Sequence, residues 1–464
     1  MLAKRSLPER ISRREFKRLL SMGFGNALKL LSRCDDPMQY ADIIAGCITH
    51  DTCFDMQCEG DRGAYLCEAA MLTGKPEYFA DIVMKRLDKS INDSWECLQM
   101  TNFLVCLYRD CGSLQDKIYG FFDDLYIKEI SRRRRKNFKY DGFRDGFETL
   151  CISLFDIDRT YFERIVNDVG QIMYEHPKAH RFSLDWFFDH CTDGGKKRGR
   201  LKKADPEYAR IFTEAFDINW TAVHEKSPTL EELLDGDSGE VLQKSEIIRS
   251  VRLRRAARIA GEDELRRAAQ EAMAEKDESR KRFLLSVFTD IPFPPGLSAV
   301  MKMYREGGEE LREECLELMG QFPGDEAAAF ALAEAQRQEN PVDVRLAGLE
   351  AYVRTAGHVD FDILRQLSEE LEACQEKQNK NVLLHGLSLD FQKRSDKCSR
   401  RYEALRRYFY NNLRCTCCRE DIVRFMVRSG DGCGDILDEC LCDCNPDLRR
   451  YAAAVLKRRA GRCS

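Results

Sequence analysis

Asn340-Pro341-Val342-Asp343-Val344-Arg345-Leu346-Ala347-Gly348 reads as the abrupt start of a packed helix. Proline at the start of a helix gives up an N–H that would be unpaired there anyway, and its fixed φ suits the first turn. Asp343 favours the positive end of the helix dipole. Gly348, three positions after Arg345, leaves room for a neighbouring helix, and Tyr352 lies one turn further along the same face.

The same arrangement recurs. Glu264-Leu265-Arg266, Glu310-Leu311-Arg312, Asp343-Val344-Arg345 and Asp447-Leu448-Arg449 share the form acid, aliphatic, arginine. Small residues follow at Ala269, Cys315, Gly348 and Ala452, and apolar ones at Met273, Met319, Tyr352 and Leu456. Asn445-Pro446 repeats the Asn-Pro start. The arginines are 46, 33 and 104 residues apart, the last interval holding two or three units. Helix-pair repeats of roughly 35 to 47 residues have this spacing.

These segments resemble the second-helix signature of HEAT repeats, over roughly residues 245–464. The chain also resembles a group of bacterial HEAT-like repeat proteins of unassigned function. That likeness rests on Asp55 to Leu66, Phe288 to Pro294 and Cys415 to Glu420. The resemblance implies an all-α, armadillo-like fold, a right-handed superhelix of helix pairs, whose concave surface binds partners. It implies no activity.

Composition agrees with helices. The chain has 464 residues, 43% hydrophobic and 33% charged, with only 12 prolines, enough to bury a core under a charged surface. Pro76 to Leu87 has Phe79, Ile82, Val83 and Leu87 on one helical face, and Ser94 starts a further helix ending at Gly112. Only Glu148 to Ile157 is ambiguous with a strand. Three segments are expected: a cysteine-rich helical region at 1–192, a basic loop and acidic linker at 193–244, and the repeat region at 245–464.

Lys4, Arg5, Arg10, Arg13 and Arg14 interrupt the first residues, unlike a secretory signal, and no apolar run reaches the roughly 20 residues that span a bilayer. A soluble, cytoplasmic chain without membrane contact is expected. The 21 cysteines, an odd number, then read mostly as small core side chains rather than a disulfide framework.

Motifs that could carry chemistry are few. Cys415 and Cys418 form a C-x-x-C pair, and with Cys440 and Cys442 they are the candidate ligands of a structural zinc. The second pair has only one intervening residue, and no histidine follows His385. His176 and His180 are four apart but flank Pro177, which argues against a zinc-protease helix. Asp55, Gln57, Glu59, Arg62 and Tyr65 crowd a helix start. They read as a cap with a local Glu–Arg pair, or as a polar binding site.

Arg406, Arg407, Tyr408 and Tyr410 interleave cations with aromatics, a mixture that can hold phosphates and stack bases, and they are the remaining candidate binding residues. Arg132 to Lys136 and Lys196 to Lys203 are basic runs. Against these stands a net charge of −5, since nonspecific nucleic-acid binders are usually basic. HEAT-like DNA glycosylases share the implied architecture, but Trp95, Trp186 and Trp220 are far apart in sequence, with Asp185 and Asp189 the only adjacent acids. No phosphate loop, dinucleotide fingerprint or serine elbow is present. The expected function is an adaptor with a protein partner, the alternative a nucleic-acid-binding protein with base-modifying chemistry.

Overall fold

The structure is a computed structural model. It describes residues 11–91, 94–135, 146–175, 255–289, 291–374 and 382–461, with single positions at 187, 190, 207, 208, 229, 230 and 253. The 193–203 loop, most of the acidic linker, the His176–His180 pair, Trp186, Trp220 and both flanking aspartates fall outside them, as do the side chains of Gln57 and Trp95.

Every regular element among the described residues is helical. In chain order these are α1 (Arg13–Ser21), α2 (Gly25–Leu31), α3 (Ala41–Thr49), α4 (Met56–Glu59), α5 (Gly63–Leu72) and α6 (Pro76–Ser90). Then come α7 (Ser94–Asp110), α8 (Gln115–Arg133), α9 (Phe147–Ile157) and α10 (Tyr161–Glu175). They are followed by α11 (Glu262–Ala274), α12 (Glu278–Leu285), α13 (Leu297–Glu306), α14 (Glu309–Met319), α15 (Asp325–Gln336) and α16 (Val342–Thr355). The last are α17 (Phe361–Cys374), α18 (Val382–Lys393), α19 (Glu403–Asn412), α20 (Thr416–Ser429), α21 (Gly434–Cys440) and α22 (Pro446–Ala460). The ambiguous 148–157 stretch is thus helix α9. No described helix is long and apolar enough to cross a membrane.

The chain divides into two compact units, one of residues 1–223, 414–420 and 433–464, the other of 224–413 and 421–432. Residues 433–464, which the sequence joins to the repeat region, therefore group with the N-terminal residues.

In the first unit α3, α5, α7 and α9 pack in succession, with α6 and α8 against α7, and α10 against α9. Gly63 shows how close this packing is: a Cβ there would lie 2.7 Å from the Phe103 amide and 2.8 Å from the Gln99 carbonyl. Phe16, Leu20, Phe79, Phe103, Phe122 and Ile165 are among its fully buried core residues.

In the second unit each helix pairs with the next, α11 with α12, α13 with α14, α15 with α16 and α17 with α18. The second members also pack on one another, α12 on α14, α14 on α16, and α16 on α18. The small residues make this possible. Ala269 and Cys315 are fully buried, as is Ala452 in the first unit. A Cβ on Gly348 would meet the Ala331 carbonyl at 2.9 Å, so α15 and α16 touch backbone to backbone.

The recurring arginines clamp turns. Arg312 Nε donates to the Gly307 carbonyl at 3.1 Å and Arg345 Nε to the Ala335 carbonyl at 2.9 Å. Arg449 Nε donates to the Asp443 carbonyl. Arg312 and Arg449 thereby secure the chain just before their own helices, and Arg345 secures the last turn of the preceding α15. Arg266 instead pairs with exposed Glu262 and Asp263.

Two sequence details differ from expectation. Of the apolar positions seven after each arginine, Met319 and Tyr352 are buried, but Met273 is 36% exposed and Leu456 half-buried. The two Asn-Pro starts also diverge. Asn445 caps α22 through bonds from the Asp447 and Leu448 amides, whereas Asn340 is turned inward and donates to Glu334 Oε2 at 2.8 Å.

Candidate functional site

The polar group before α5 is locked into the first unit. Glu59 Oε1 accepts the Phe54 and Asp55 amides at 3.2 and 3.1 Å, and its Oε2 lies 3.2 Å from Arg62 Nη2. Both side chains of that pair are only 2% exposed. Arg62 Nη1 donates to the carbonyls of Ser21 and Thr52. Tyr65 Oη donates to the Phe24 carbonyl at 2.8 Å.

These bonds converge on the turn between α1 and α2. Four successive carbonyls there accept hydrogen bonds from distant parts of the chain: Ser21 from Arg62, Met22 from Arg419 at 2.6 Å, Gly23 from the Cys444 amide at 2.9 Å, and Phe24 from Tyr65. Gly23 has φ +74°, and a Cβ there would overlap Cys444 Sγ. Arg419 is fully buried, faces Asp443 at 3.1 Å and lies 4.2 Å above the Phe24 ring. The Glu–Arg pair of the sequence reading is present, but α5 begins without a side-chain cap at Arg62; the Nη donors of Arg62 and the Tyr65 hydroxyl are engaged inside the protein.

Arg406 occupies a comparable place in the second unit. It is fully buried, grips Asp431 through Nε and Nη2 at 2.8 Å each, and donates from Nη1 to the Lys397 and Ser399 carbonyls. Tyr410 is fully buried. Arg407 reaches Glu403 and the Gly432 carbonyl, and Tyr408 packs edge-on against Phe361, with burial pushing its hydroxyl pKa up.

In the basic run, Arg133 is fully buried between Glu129 and the Phe147 ring, Arg132 pairs with Glu129, and Arg134 with Asp168. Lys136 and the loop at 196–203 lie outside the described residues.

Among the proposed zinc ligands, Cys415 and Cys418 are buried together, the Cys418 amide donating to Cys415 Sγ at 3.5 Å. Cys440 is buried and Cys442 half-buried, and no ligand-distance group among the described residues contains either of them. The four do not assemble as a tetrahedral set.

A carboxyl strongly perturbed by burial lies elsewhere. Glu350 on α16 sits over Gly386 of α18, its Oε1 2.3 Å from where a Cβ on that glycine would stand. Burial raises its pKa to about 7, helped by the charges of Asp390 and Glu317 and opposed by Arg354 and Lys393. Arg354, one turn on, donates to the Glu317 carbonyl at 3.1 Å and lies 3.5 Å from Asp390, so it ties α14 and α18 to α16. Asp390 is also raised, chiefly by burial. Glu313 on α14 is raised by burial and by Asp343. Glu350 has no hydrogen-bond or ion-pair partner among the described residues. A carboxyl near neutrality beside other carboxylates can exchange a proton or accept a cationic partner. Sequence gave little sign of it, because a glutamate one turn before an arginine reads as an ordinary surface pair. The usable signal was Gly386, a helical glycine opposite that glutamate.

Comparison with known proteins returns no matching family model, no similar curated protein and no similar solved structure.

Proposed function

We propose that the chain is a HEAT-like α-solenoid that acts as an adaptor, binding a protein partner along the outer face of the second-helix layer formed by α12, α14, α16 and α18. The observation that carries this reading is the pairing of each helix with the next while the second members pack on each other. The repeated arginine clamps and buried small residues support the same reading. Such an array presents a long, pre-formed surface, which suits macromolecular partners.

The chemistry of that face indicates the partner's charge. Glu310, Glu313, Glu317, Asp343 and Glu350 lie along it, with Arg282 engaged by Glu310 and Arg354 by Asp390. The surplus is acidic, so a partner segment rich in lysine and arginine is the complementary one.

Nucleic-acid binding, with or without base-modifying chemistry, has less beneath it. Arg132, Arg133 and Arg134 are held by the protein's own side chains, Arg406 and Tyr410 are buried, and the acidic face would repel phosphates.

Affinity capture from nuclease-treated lysate of the native host tests the proposal. Wild-type chain should retain a protein that the combined variant Glu313→Gln, Glu317→Gln, Glu350→Gln loses. Capture that is indifferent to these charges, or that yields DNA or RNA when nuclease is omitted and nothing when it is present, would overturn it.

A further inference from the structure

Each of the 19 described cysteines is a free thiol, and nine of them are buried. One group in the first unit differs. Cys58, in α4, is exposed; Cys417, in the first turn of α20, is half-buried. They are 359 positions apart, yet Cys417 Sγ donates to the Cys58 carbonyl at 3.4 Å. Cys415 lies on the buried side, with its sulfur hydrogen-bonded to that of Cys417 and also accepting the Cys418 amide at 3.5 Å. The three therefore run from solvent to interior as Cys58, Cys417 and Cys415.

We propose that Cys58 and Cys417 form a redox-modification site, in which a hydroperoxide oxidises Cys58 and Cys417 then closes a disulfide with it. In the first step Cys58 Sγ attacks the distal peroxide oxygen. The S–O bond forms and the O–O bond breaks; an alcohol, or water from hydrogen peroxide, leaves with the thiol proton. The sulfur gives up two electrons and becomes a sulfenic acid. In the second step Cys417 Sγ attacks that sulfur. The S–S bond forms, the S–O bond breaks, and water leaves with the Cys417 proton. Two thiols and one hydroperoxide yield one disulfide, one alcohol and one water.

The local electrostatics set the speed. The Asp55 carboxylate accepts the Cys58 thiol proton and raises its pKa; its negative charge acts in the same direction. Only the thiolate is nucleophilic, so the pair stays reduced under mild conditions and responds slowly, to sustained oxidant. Below the thiol pKa its rate rises about tenfold per pH unit, following the thiolate fraction. The closed bond would tie α4 to the start of α20, fixing two segments that are remote in sequence.

The test is peptide mapping by mass spectrometry, without reduction, of the full-length folded chain after exposure to hydrogen peroxide at pH 7 and pH 9. The expected product is a peptide pair linked through Cys58 and Cys417. It should form faster at pH 9, persist in Cys415→Ser, disappear in Cys58→Ser, and form several-fold faster in Asp55→Asn. Cys58 oxidised to sulfinic acid with no such link, a Cys415–Cys417 link in its place, or no oxidation of Cys58 at pH 9 would each overturn the proposal.

Discussion

Arg419 and Asp443 face each other at 3.1 Å with neither side chain exposed to solvent, and Arg419 also holds the Met22 carbonyl. Two opposite charges withdrawn from water are tolerable only together, because either alone is left uncompensated. Arg419→Ala should therefore destabilise the first unit by about 3–5 kcal/mol, read by urea denaturation. The double substitution Arg419→Met, Asp443→Leu should recover most of that loss. A single substitution costing under about 1 kcal/mol would mean that water reaches the pair.

Gly23 and Gly46 make opposite predictions for the same exchange. Gly23 has φ +74° and its missing Cβ would overlap Cys444 Sγ. Gly23→Ala meets both backbone strain of about 1–2 kcal/mol and a steric clash, so it should lower stability by more than that. Gly46 lies exposed inside α3 with nothing within 4 Å of its Cβ position. Gly46→Ala should raise stability by about 0.5–1 kcal/mol. Thermal melts of the two variants side by side check both signs.

Glu350 makes the second unit pH-sensitive. Its folded pKa is about 7, against an ordinary value of 4.5. Between those values the folded protein keeps the proton and the unfolded chain releases it. Stability therefore falls as pH rises from 4.5 to about 7, and the loss is complete above that. Asp390, raised by the same burial, adds in the same direction. Because Glu350 is only half-buried, its contribution is on the order of 1–2 kcal/mol. Glu350→Gln should raise stability at pH 8, leave it nearly unchanged at pH 5, and flatten the profile between them, measured by urea unfolding at each pH.

Arg406 should resist even a conservative change. Its two bonds to Asp431, at 2.8 Å each, need the planar fork of a guanidinium. Lysine keeps the charge but cannot also reach the Lys397 and Ser399 carbonyls. Arg406→Lys should cost about 1.5–3 kcal/mol, with faster hydrogen exchange in α19 as the local sign.

The sequence carried the helices well because their signals are local. Pro76 starts α6, Asn445 caps α22, and the small residues after each repeated arginine are buried. Burial of the polar residues was not legible, since it depends on long-range partners. Nothing near Arg62 shows that its guanidinium reaches back to Ser21, and nothing near Arg419 announces Asp443 and the α1–α2 turn. The same limit applies to Asn340, which looks like the cap that Asn445 is, yet turns toward Glu334 on the preceding helix. For the candidate site, acids along α14 and α16 are visible as charges, but the shift at Glu350 arises first from burial and then from Asp390 on another helix.

Hydrogen–deuterium exchange of the full-length chain, with and without the captured partner, tests the adaptor reading most directly. The account predicts added protection in Glu309–Met319, Val342–Thr355 and Val382–Lys393, centred on Glu317 and Glu350. Protection confined to the first unit, or to the arginines of α8, with these three helices unchanged, would contradict it.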